Sequence, residues 1–308
     1  MKRLSLLIAS TVLLWACEVT ENENPLRYES LDDFVLEEGP HAYQVTLDFN
    51  LKEVSLMGPL ASKVRVYPSD LITLDGDSPT GNVYLQIREF HSLSDYVLGG
   101  LGTLSHLNQP ISAGPAIEVL GEDDFGNGLK QKSKQLEVDM NQQAPLHYEP
   151  SFYEVYFSQN QEISQLKWNR LGNDLTYDSL GFHWEGPMGY LGCFNPIEHT
   201  ESPKTYTVTL SPELPFIDDQ AVVAFISPST REIVRLKPTM VKNQYSTGSI
   251  VLPNDFQGYV VGFGIGADGY PLYKDSPFTT GLTNFNLSLN SLKESHGVKN
   301  KLSRFNKN

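Results

Sequence analysis

Val83-Tyr84-Leu85-Gln86-Ile87-Arg88-Glu89-Phe90 alternates apolar and polar side chains with a period of two residues. This is the period of a β-strand that turns one face to a hydrophobic core. Residues 43–49 and 64–67 alternate in the same way, and the Asp-, Gly- and Pro-containing run at 75–82 lies between two of these segments. Such residues favour turns. The sequence therefore predicts antiparallel β-structure around this stretch.

Further strand candidates recur along the chain at 116–120, 136–140, 152–157, 167–168, 205–210, 221–226, 233–236, 259–265 and 285–292. Turn-forming residues separate them, as is typical of β-sandwiches. The best helix candidate lies within 92–107. We predict an all-β protein with two tandem antiparallel β-sandwich domains, at 41–145 and 150–292, and a linker at 141–151.

The first seventeen residues have the pattern of an export signal. Lys2 and Arg3 precede an apolar run from Leu4 to Trp15, which is too short for a membrane-spanning helix. Leu14-Trp15-Ala16-Cys17 is similar to the lipobox of bacterial lipoproteins. The resemblance implies a lipoprotein signal peptide at 1–16 and lipidation of Cys17. The alternative is an ordinary secretory signal followed by an incidental cysteine.

Charge bears on the partners and on the two ends of the chain. The net charge of −14 argues against nucleic-acid binding and against electrostatic attraction to an anionic membrane, so attachment would depend on lipid. The acidic run at 18–24 is similar to the export tract of Bacteroidota-type surface lipoproteins. We expect an acidic tether at 17–40 and an outer-membrane lipoprotein displayed at the cell surface, with a periplasm-facing location as the alternative. The basic segment 293–308 is predicted to be disordered.

A second resemblance rests on residues 81–92, 95–98, 101–105 and 113–114. They resemble a group of Bacteroidota surface or periplasmic proteins with a "G-x-V-x-V-x-hydrophobic-R-E-F" segment followed by a loop and a β-hairpin. The resemblance covers residues 41–292 and implies a ZU5-like first sandwich, a fold also found in interaction modules. For the second sandwich we expect an Ig-like fold. At 189–195 the chain departs from the group's "LGW-N-CD" segment, because Trp and Asp are missing.

Two groups of residues are weak candidates for a metal site. Glu122, Asp123 and Asp124 cluster as calcium ligands do, but a hairpin turn explains them equally and is favoured because Phe125 occupies a position where an EF-hand loop has a ligand. His183 and Glu185 fall on one face of a predicted strand and could hold a metal with a distant third ligand. A surface polar pair is the favoured alternative.

Two further motifs are interpreted structurally. Cys193 has no catalytic spacing to a histidine and is predicted to be a packed thiol, the alternative being a nucleophile. Residues 264–269 match GxGxxG, but a second strand follows where a dinucleotide site needs a helix. We predict a hairpin with an Asp-Gly turn there.

These observations predict a lipid-anchored cell-envelope module that binds a protein or glycan partner, or has a structural role, without catalysis or a cofactor. One alternative is a surface glycan-binding accessory lipoprotein, in which Tyr148, Tyr153, Trp168 or Trp184 would stack on sugars. The favoured interpretation of most of these rings is that they pack in the core of the sandwiches. The other is an envelope hydrolase, for which no local motif is present but which a metal on His183 and Glu185 would serve.

Overall fold

The structure is a computed structural model that describes residues 26–140, 151–155, 167–170, 176–178, 181–197, 201–252, 256–278, 281–294 and 296–306. The predicted signal peptide, Cys17 and most of the predicted linker lie outside these residues. The described part is mostly β-structure.

The first thirteen strands form an N-terminal unit. They are β1 (Ala42–Leu47), β2 (Val54–Met57), β3 (Lys63–Val66), β4 (Leu71–Thr73), β5 (Val83–Phe90), β6 (Ile111–Asp123), β7 (Leu129–Gln131), β8 (Leu136–Met140), β9 (Ser151–Val155), β10 (Asn169–Arg170), β11 (Thr176–Asp178), β12 (Gly181–Gly186) and β13 (Gly189–Pro196). Their order is β1-β5-β6-β13-β9-β10 in one sheet and β11-β12-β8-β3-β2 in another, while β4 pairs with β7.

The two larger sheets of the N-terminal unit share one hydrophobic core. Leu85 and Ile87 of β5 and Val119 of β6 pack in the same cluster as Val138 of β8 and Trp184 of β12. The alternation of β5 explains its part in this core, because every second residue from Val83 is buried.

The boundary between the β-units lies later in the chain than predicted. Trp184 of β12 is opposite Val138 of β8, and Leu191 of β13 is opposite Ile117 of β6. The N-terminal unit therefore extends to Pro196, and the predicted domains 41–145 and 150–292 are corrected accordingly. The Pro and Asn/Gln content of 141–151 suits a long connection within a unit as well as a linker, so composition alone misplaced the boundary.

The C-terminal unit is one eight-stranded sheet. It contains β14 (Lys204–Pro212), β15 (Phe216–Ser227), β16 (Glu232–Arg235), β17 (Lys237–Pro238), β18 (Gln244–Ile250), β19 (Tyr259–Gly266), β20 (Pro271–Pro277) and β21 (Asn284–Ser291). The order is β16-β15-β19-β20-β21-β14-β18-β17, and β14 and β21 pair in parallel. The end strands β16 and β17 are consecutive in the chain, and the sheet is barrel-like and nearly closed.

Three short helices, α1 (Leu31–Glu38), α2 (Leu93–Leu98) and α3 (Gly297–Ser303), join the two units. Phe34 of α1, Tyr96 of α2 and Leu302 of α3 belong to one cluster with Phe194 of β13 and Phe263 of β19. Backbone bonds also cross this interface, such as Thr103 N to Ile233 O at 2.7 Å. The units therefore pack together on a shared core.

The helices confirm one expectation and correct two. Helix α2 lies within the predicted helical segment and begins with a capping box of Ser92 and Asp95. Helix α1 occupies part of the predicted tether 17–40, and α3 with the 3₁₀ turn Arg304–Asn306 occupies most of the predicted disordered tail 293–308. The described parts of both segments are ordered because their few apolar side chains pack into the shared core. No helix among the described residues is long and apolar enough to cross a membrane.

Candidate functional site

A cavity of ≈ 740 Å³, here named the end cavity, lies in the N-terminal unit beside the place where the pairing of β6 with β13 ends. Strand β6 pairs with β5 up to its last residue, Asp123. Its pairing with β13 ends earlier, at Val119, which is opposite Gly189. Beyond Val119 the turn at 187–188 and the segment 128–135 line the space beside β6. The cavity therefore follows from the unequal lengths of two neighbouring strands.

The lining of the end cavity combines an apolar part with many polar groups. The apolar side chains include Leu85, Val119, Leu129 and Met188. The polar side chains include the amides of Gln44, Gln86, Gln131 and Gln135, the ammonium groups of Lys130, Lys132 and Lys134, the hydroxyl of Tyr84 and the carboxylate of Glu122. The volume lies within the range of small-ligand pockets, and the lining is more polar than is usual for them.

Gln131 is the most informative residue of this lining. Both polar atoms of its side-chain amide are buried, and neither makes a hydrogen bond within the described part of the chain. A buried amide without partners costs free energy, and few such groups persist in folded proteins without a reason. A ligand that offers both a donor and an acceptor would satisfy this amide.

The lysine-bearing segment beside Gln131 is fixed by Asp70. The Asp70 carboxylate accepts hydrogen bonds from Ser133 N at 2.9 Å and Lys134 N at 2.7 Å, and another from Ser133 Oγ. Burial acts to raise the pKa of Asp70, but these hydrogen bonds outweigh it and the pKa is lowered. The segment is therefore held in place by an ionised carboxylate.

Two of the lysines are also positioned individually. Lys130 Nζ donates to Leu74 O over 2.6 Å, and Lys134 Nζ lies 3.9 Å from the centroid of the Tyr67 ring. The second arrangement is a cation–π contact. These contacts keep two positive charges beside the end cavity of a strongly acidic protein.

Gly121 lets the side chains of Met188 and Leu85 approach the backbone of β6 closely in the wall of the end cavity. A Cβ atom at this position would lie 2.8 Å from Met188 Cε and 2.9 Å from Leu85 Cδ2. These distances are shorter than van der Waals contact, so a larger residue at 121 would have to displace both side chains. Substitution of Gly121 is therefore a way to perturb the cavity.

The three clustered carboxylates predicted as weak metal ligands lie in the β6–β7 hairpin. Asp123 accepts from Thr80 N, Phe125 N and Asn127 N, and Asp124 accepts from Asn82 N and Tyr84 Oη. Desolvation acts to raise the pKa of Asp123, but the hydrogen bonds from Asn127, Thr80 and Phe125 lower it to about 2. These two carboxylates fix the hairpin, whereas Glu122 lines the end cavity.

The second weak candidate lies elsewhere, on the exposed side of β12. Both His183 and Glu185 are exposed, and His183 Nδ1 contacts the Asp139 carboxylate on β8. Glu185 is opposite Glu137, which binds Arg65 and Tyr67. Within the described ranges no three His, Cys, Asp or Glu side chains group together as a metal site would need.

The remaining residues singled out in the sequence lie in the core or in a turn. Cys193 is buried in the core of the N-terminal unit, where desolvation raises the pKa of its thiol, so the packed-thiol prediction is confirmed. Residues 264–269 form the predicted hairpin between β19 and β20, with Gly269 at φ +81°. Trp168 and Trp184 are fully buried, so they cannot stack on an external sugar. The side chains of Tyr148 and Tyr153 lie outside the described part.

The end cavity was missed by sequence reasoning. The sequence feature that could have revealed it is the run Lys130-Gln131-Lys132-Ser133-Lys134-Gln135, an unusual concentration of lysines and amides in an acidic chain. Only the fold brings this run beside β6 and the β12–β13 turn.

Comparison of the chain with protein-family models, with curated proteins and with solved structures finds no match. The function of the end cavity is therefore inferred from its own residues.

Proposed function

We propose that this protein is a lipid-anchored, non-catalytic binding module of the cell envelope, and that the end cavity is its binding site. The observation that carries the proposal is the buried amide of Gln131, which has no hydrogen-bond partner within the described residues but lines a cavity large enough for a ligand. Because a pre-formed polar cavity needs little reorganisation to bind, its ligand would gain hydrogen bonds at low cost.

For the fold, we propose a ZU5-like β-sandwich for the N-terminal unit, supported by its two sheets around one core. We propose an Ig-like relationship for the C-terminal unit, in which the first and last strands pair in parallel. Interaction modules commonly bind through loops, and the loop residues at 132–135 and 187–188 line the end cavity.

A glycan is the second, more specific candidate ligand. The observation in its favour is the density of amide groups at 44, 86, 131 and 135 around the end cavity, since amides both donate to and accept from sugar hydroxyls. Stacking by Trp168 or Trp184 plays no part in this proposal because both rings are buried.

The cavity is tested with a Cys17→Ala protein lacking residues 1–16 and with Gln131→Leu in that background. Probes are neutral hexasaccharides of glucose and N-acetylglucosamine and a mixed set of short peptides, followed by amide NMR shifts and calorimetry. We expect saturable shifts at the cavity residues, and loss of binding in Gln131→Leu without loss of thermal stability, because the variant buries no unpaired amide. The matched control is Gln257→Leu, an exposed glutamine outside the cavity.

The outcomes distinguish the class of ligand from the location of its binding site. Binding of peptides but not saccharides would reject the glycan and retain the binding module. Equal binding by the wild type and Gln131→Leu would reject the end cavity as the site.

The location is tested separately on intact cells. We expect wild-type protein in the membrane fraction and sensitive to added protease, and the Cys17→Ala variant in the soluble fraction. A Cys193→Ala variant controls for loss of a thiol. Membrane attachment of Cys17→Ala with unchanged mobility would contradict lipidation, and protease resistance until lysis would indicate a periplasm-facing location.

A further inference from the structure

A second cavity, of ≈ 380 Å³, lies between the two β-units and is named the cleft cavity. The N-terminal unit contributes the loop at 102–108 and Lys167, and the C-terminal unit contributes Arg235, Lys237 and the β18 segment 246–249. Its volume is at the lower end of the range for small-ligand pockets. It shares no lining residue with the end cavity.

The charge of this lining is opposite to that of the protein. Lys167, Arg235 and Lys237 supply three cationic groups, and none of the described residues that line the cavity is Asp or Glu. The whole chain carries a net charge of −14. A concave site with one sign of charge concentrates ligands of the opposite sign.

Arg235 is held so that its charge is only partly compensated. Its Nη1 donates to Val97 O at 3.0 Å, whereas its Nε is buried and makes no hydrogen bond within the described residues. Burial lowers the pKa of the Arg235 guanidinium to about 10, and burial is the sole cause of the shift. Among the described residues no carboxylate is paired with Arg235 in an ion pair, and a buried cation gains stability from an anion bound beside it.

The opposite wall of the cleft cavity is an irregular part of β18. The register between β14 and β18 shifts between Thr205 and Thr207, and Gly248 has φ +66° at this irregularity. Bulges of this kind redirect side chains and are frequent next to binding sites. Here the irregularity brings Ser246, Thr247 and Ser249 to the cavity, where serine hydroxyls can donate hydrogen bonds to an oxyanion.

We propose that the cleft cavity binds a small ligand that carries a phosphate or sulfate ester. A guanidinium and two ammonium groups together with hydroxyl donors suit the three terminal oxygens of such an ester. Because residues of both β-units contribute, the ligand would bridge them and favour their packed arrangement. This site is separate from the proposed function of the end cavity.

Isothermal titration calorimetry of the Cys17→Ala protein with inorganic phosphate and with inorganic sulfate, at constant ionic strength set by chloride, tests the proposal. We expect saturable binding of one or both anions, weakened at least about tenfold in Lys167→Gln and in Arg235→Gln. Lys242→Gln removes an equal charge outside the cavity, from an exposed lysine paired with Asp219 at 2.8 Å, and is expected to bind like the parent protein.

Arg235 also bonds to the N-terminal unit, so Lys167→Gln remains decisive if Arg235→Gln fails to fold. Absence of anion binding in the parent protein would overturn the proposal, as would equal weakening by Lys242→Gln. Weakening by Lys132→Gln alone would place the anion in the end cavity and would also overturn it.

Discussion

Nδ1 of His296 lies 2.7 Å from Oε1 of Glu38, and these residues are 258 positions apart in the chain. Glu38 ends α1 and is fully buried, and His296 precedes α3. The hydroxyl of Tyr28 donates to the same carboxylate oxygen at 2.7 Å. The first and last described helices are thus tied together against the shared core of the two β-units, which makes both termini of the described chain part of the fold.

This arrangement predicts that α3 contributes substantially to stability. Leu302 is completely buried, and its truncation in Leu302→Ala is expected to lower the free energy of unfolding by about 2–5 kcal/mol. Lys301→Ala alters the adjacent, exposed residue of the same helix and is expected to change the free energy of unfolding by less than about 0.5 kcal/mol. Urea denaturation measures both values. Equal stability of the two variants would show that the segment is not docked.

The sequence contains apolar residues at the spacing of a helix in α3, but the basic residues around them obscured this pattern. Val298, Leu302 and Phe305 are buried and recur at helical spacing, yet lysines and an arginine surround them. By contrast, the strict alternation of β5 is visible because every second residue faces one core. Local periodicity therefore predicted strands and the helix α2, but a short helix with only three apolar anchors resembled a solvated tail.

Long-range pairing was beyond what the sequence could show. No feature of the β13 sequence itself indicates that Leu191 is opposite Ile117. The boundary between the two β-units was therefore predicted too early in the chain. The same limit applies to the candidate sites, because the end cavity depends on the unequal lengths of β6 and β13. Glu122 was singled out as a weak metal ligand and does line this cavity, whereas Gln131 was overlooked because a glutamine carries no recognisable motif.

Glu89 is predicted to hold the loop between β2 and β3. Its buried carboxylate accepts from Ser62 N at 2.9 Å and also from Leu60 N. Glu89→Ala leaves these amides without an acceptor and is expected to destabilise the protein by about 1–3 kcal/mol, with a smaller loss for Glu89→Gln, which keeps one acceptor.

Chemical denaturation and limited proteolysis at residues 58–62 provide the measurements. Glu185→Ala, at an exposed position of β12, is the control. A Glu89→Ala protein as stable and as protease-resistant as the control would refute the role of the carboxylate.

The lowered pKa of Asp123 predicts that part of the stability of the fold is lost in acid. The pKa of its carboxyl is lowered from 3.8 to about 2 in the folded protein. A lowered pKa means that the ionised form stabilises the fold above the ordinary value, and that this contribution is lost as the pH falls from about 4 towards about 2. Asp123→Asn should therefore be less stable than the wild type at neutral pH, with the difference shrinking over this interval.

Thermal unfolding midpoints between pH 2 and pH 7 test this expectation, and Asp75→Asn controls for loss of one negative charge at an exposed turn. A difference between wild type and Asp123→Asn that stays constant across the interval would contradict the linkage.

Cys193 predicts a thiol that reports on global unfolding. Its side chain is 1% exposed, and burial raises the pKa of the thiol, so both access and thiolate formation are suppressed in the folded state. In a Cys17→Ala background it is the sole cysteine of the chain. Reaction with an aromatic disulfide reagent should then be at least about a thousandfold slower in the native protein than in denaturant, because labelling requires opening of the core.

The control is a cysteine introduced at the exposed position 301 in a Cys193→Ala, Cys17→Ala background, which should react at the rate of a free thiol in both conditions. Rapid labelling of native Cys193 would mean that β13 opens locally. Since β13 lies between β6 and β9 in the middle of its sheet, such opening would also separate the strands beside the end cavity. Slow labelling that accelerates in proportion to the unfolded population would instead establish this sheet as part of the most stable region of the molecule.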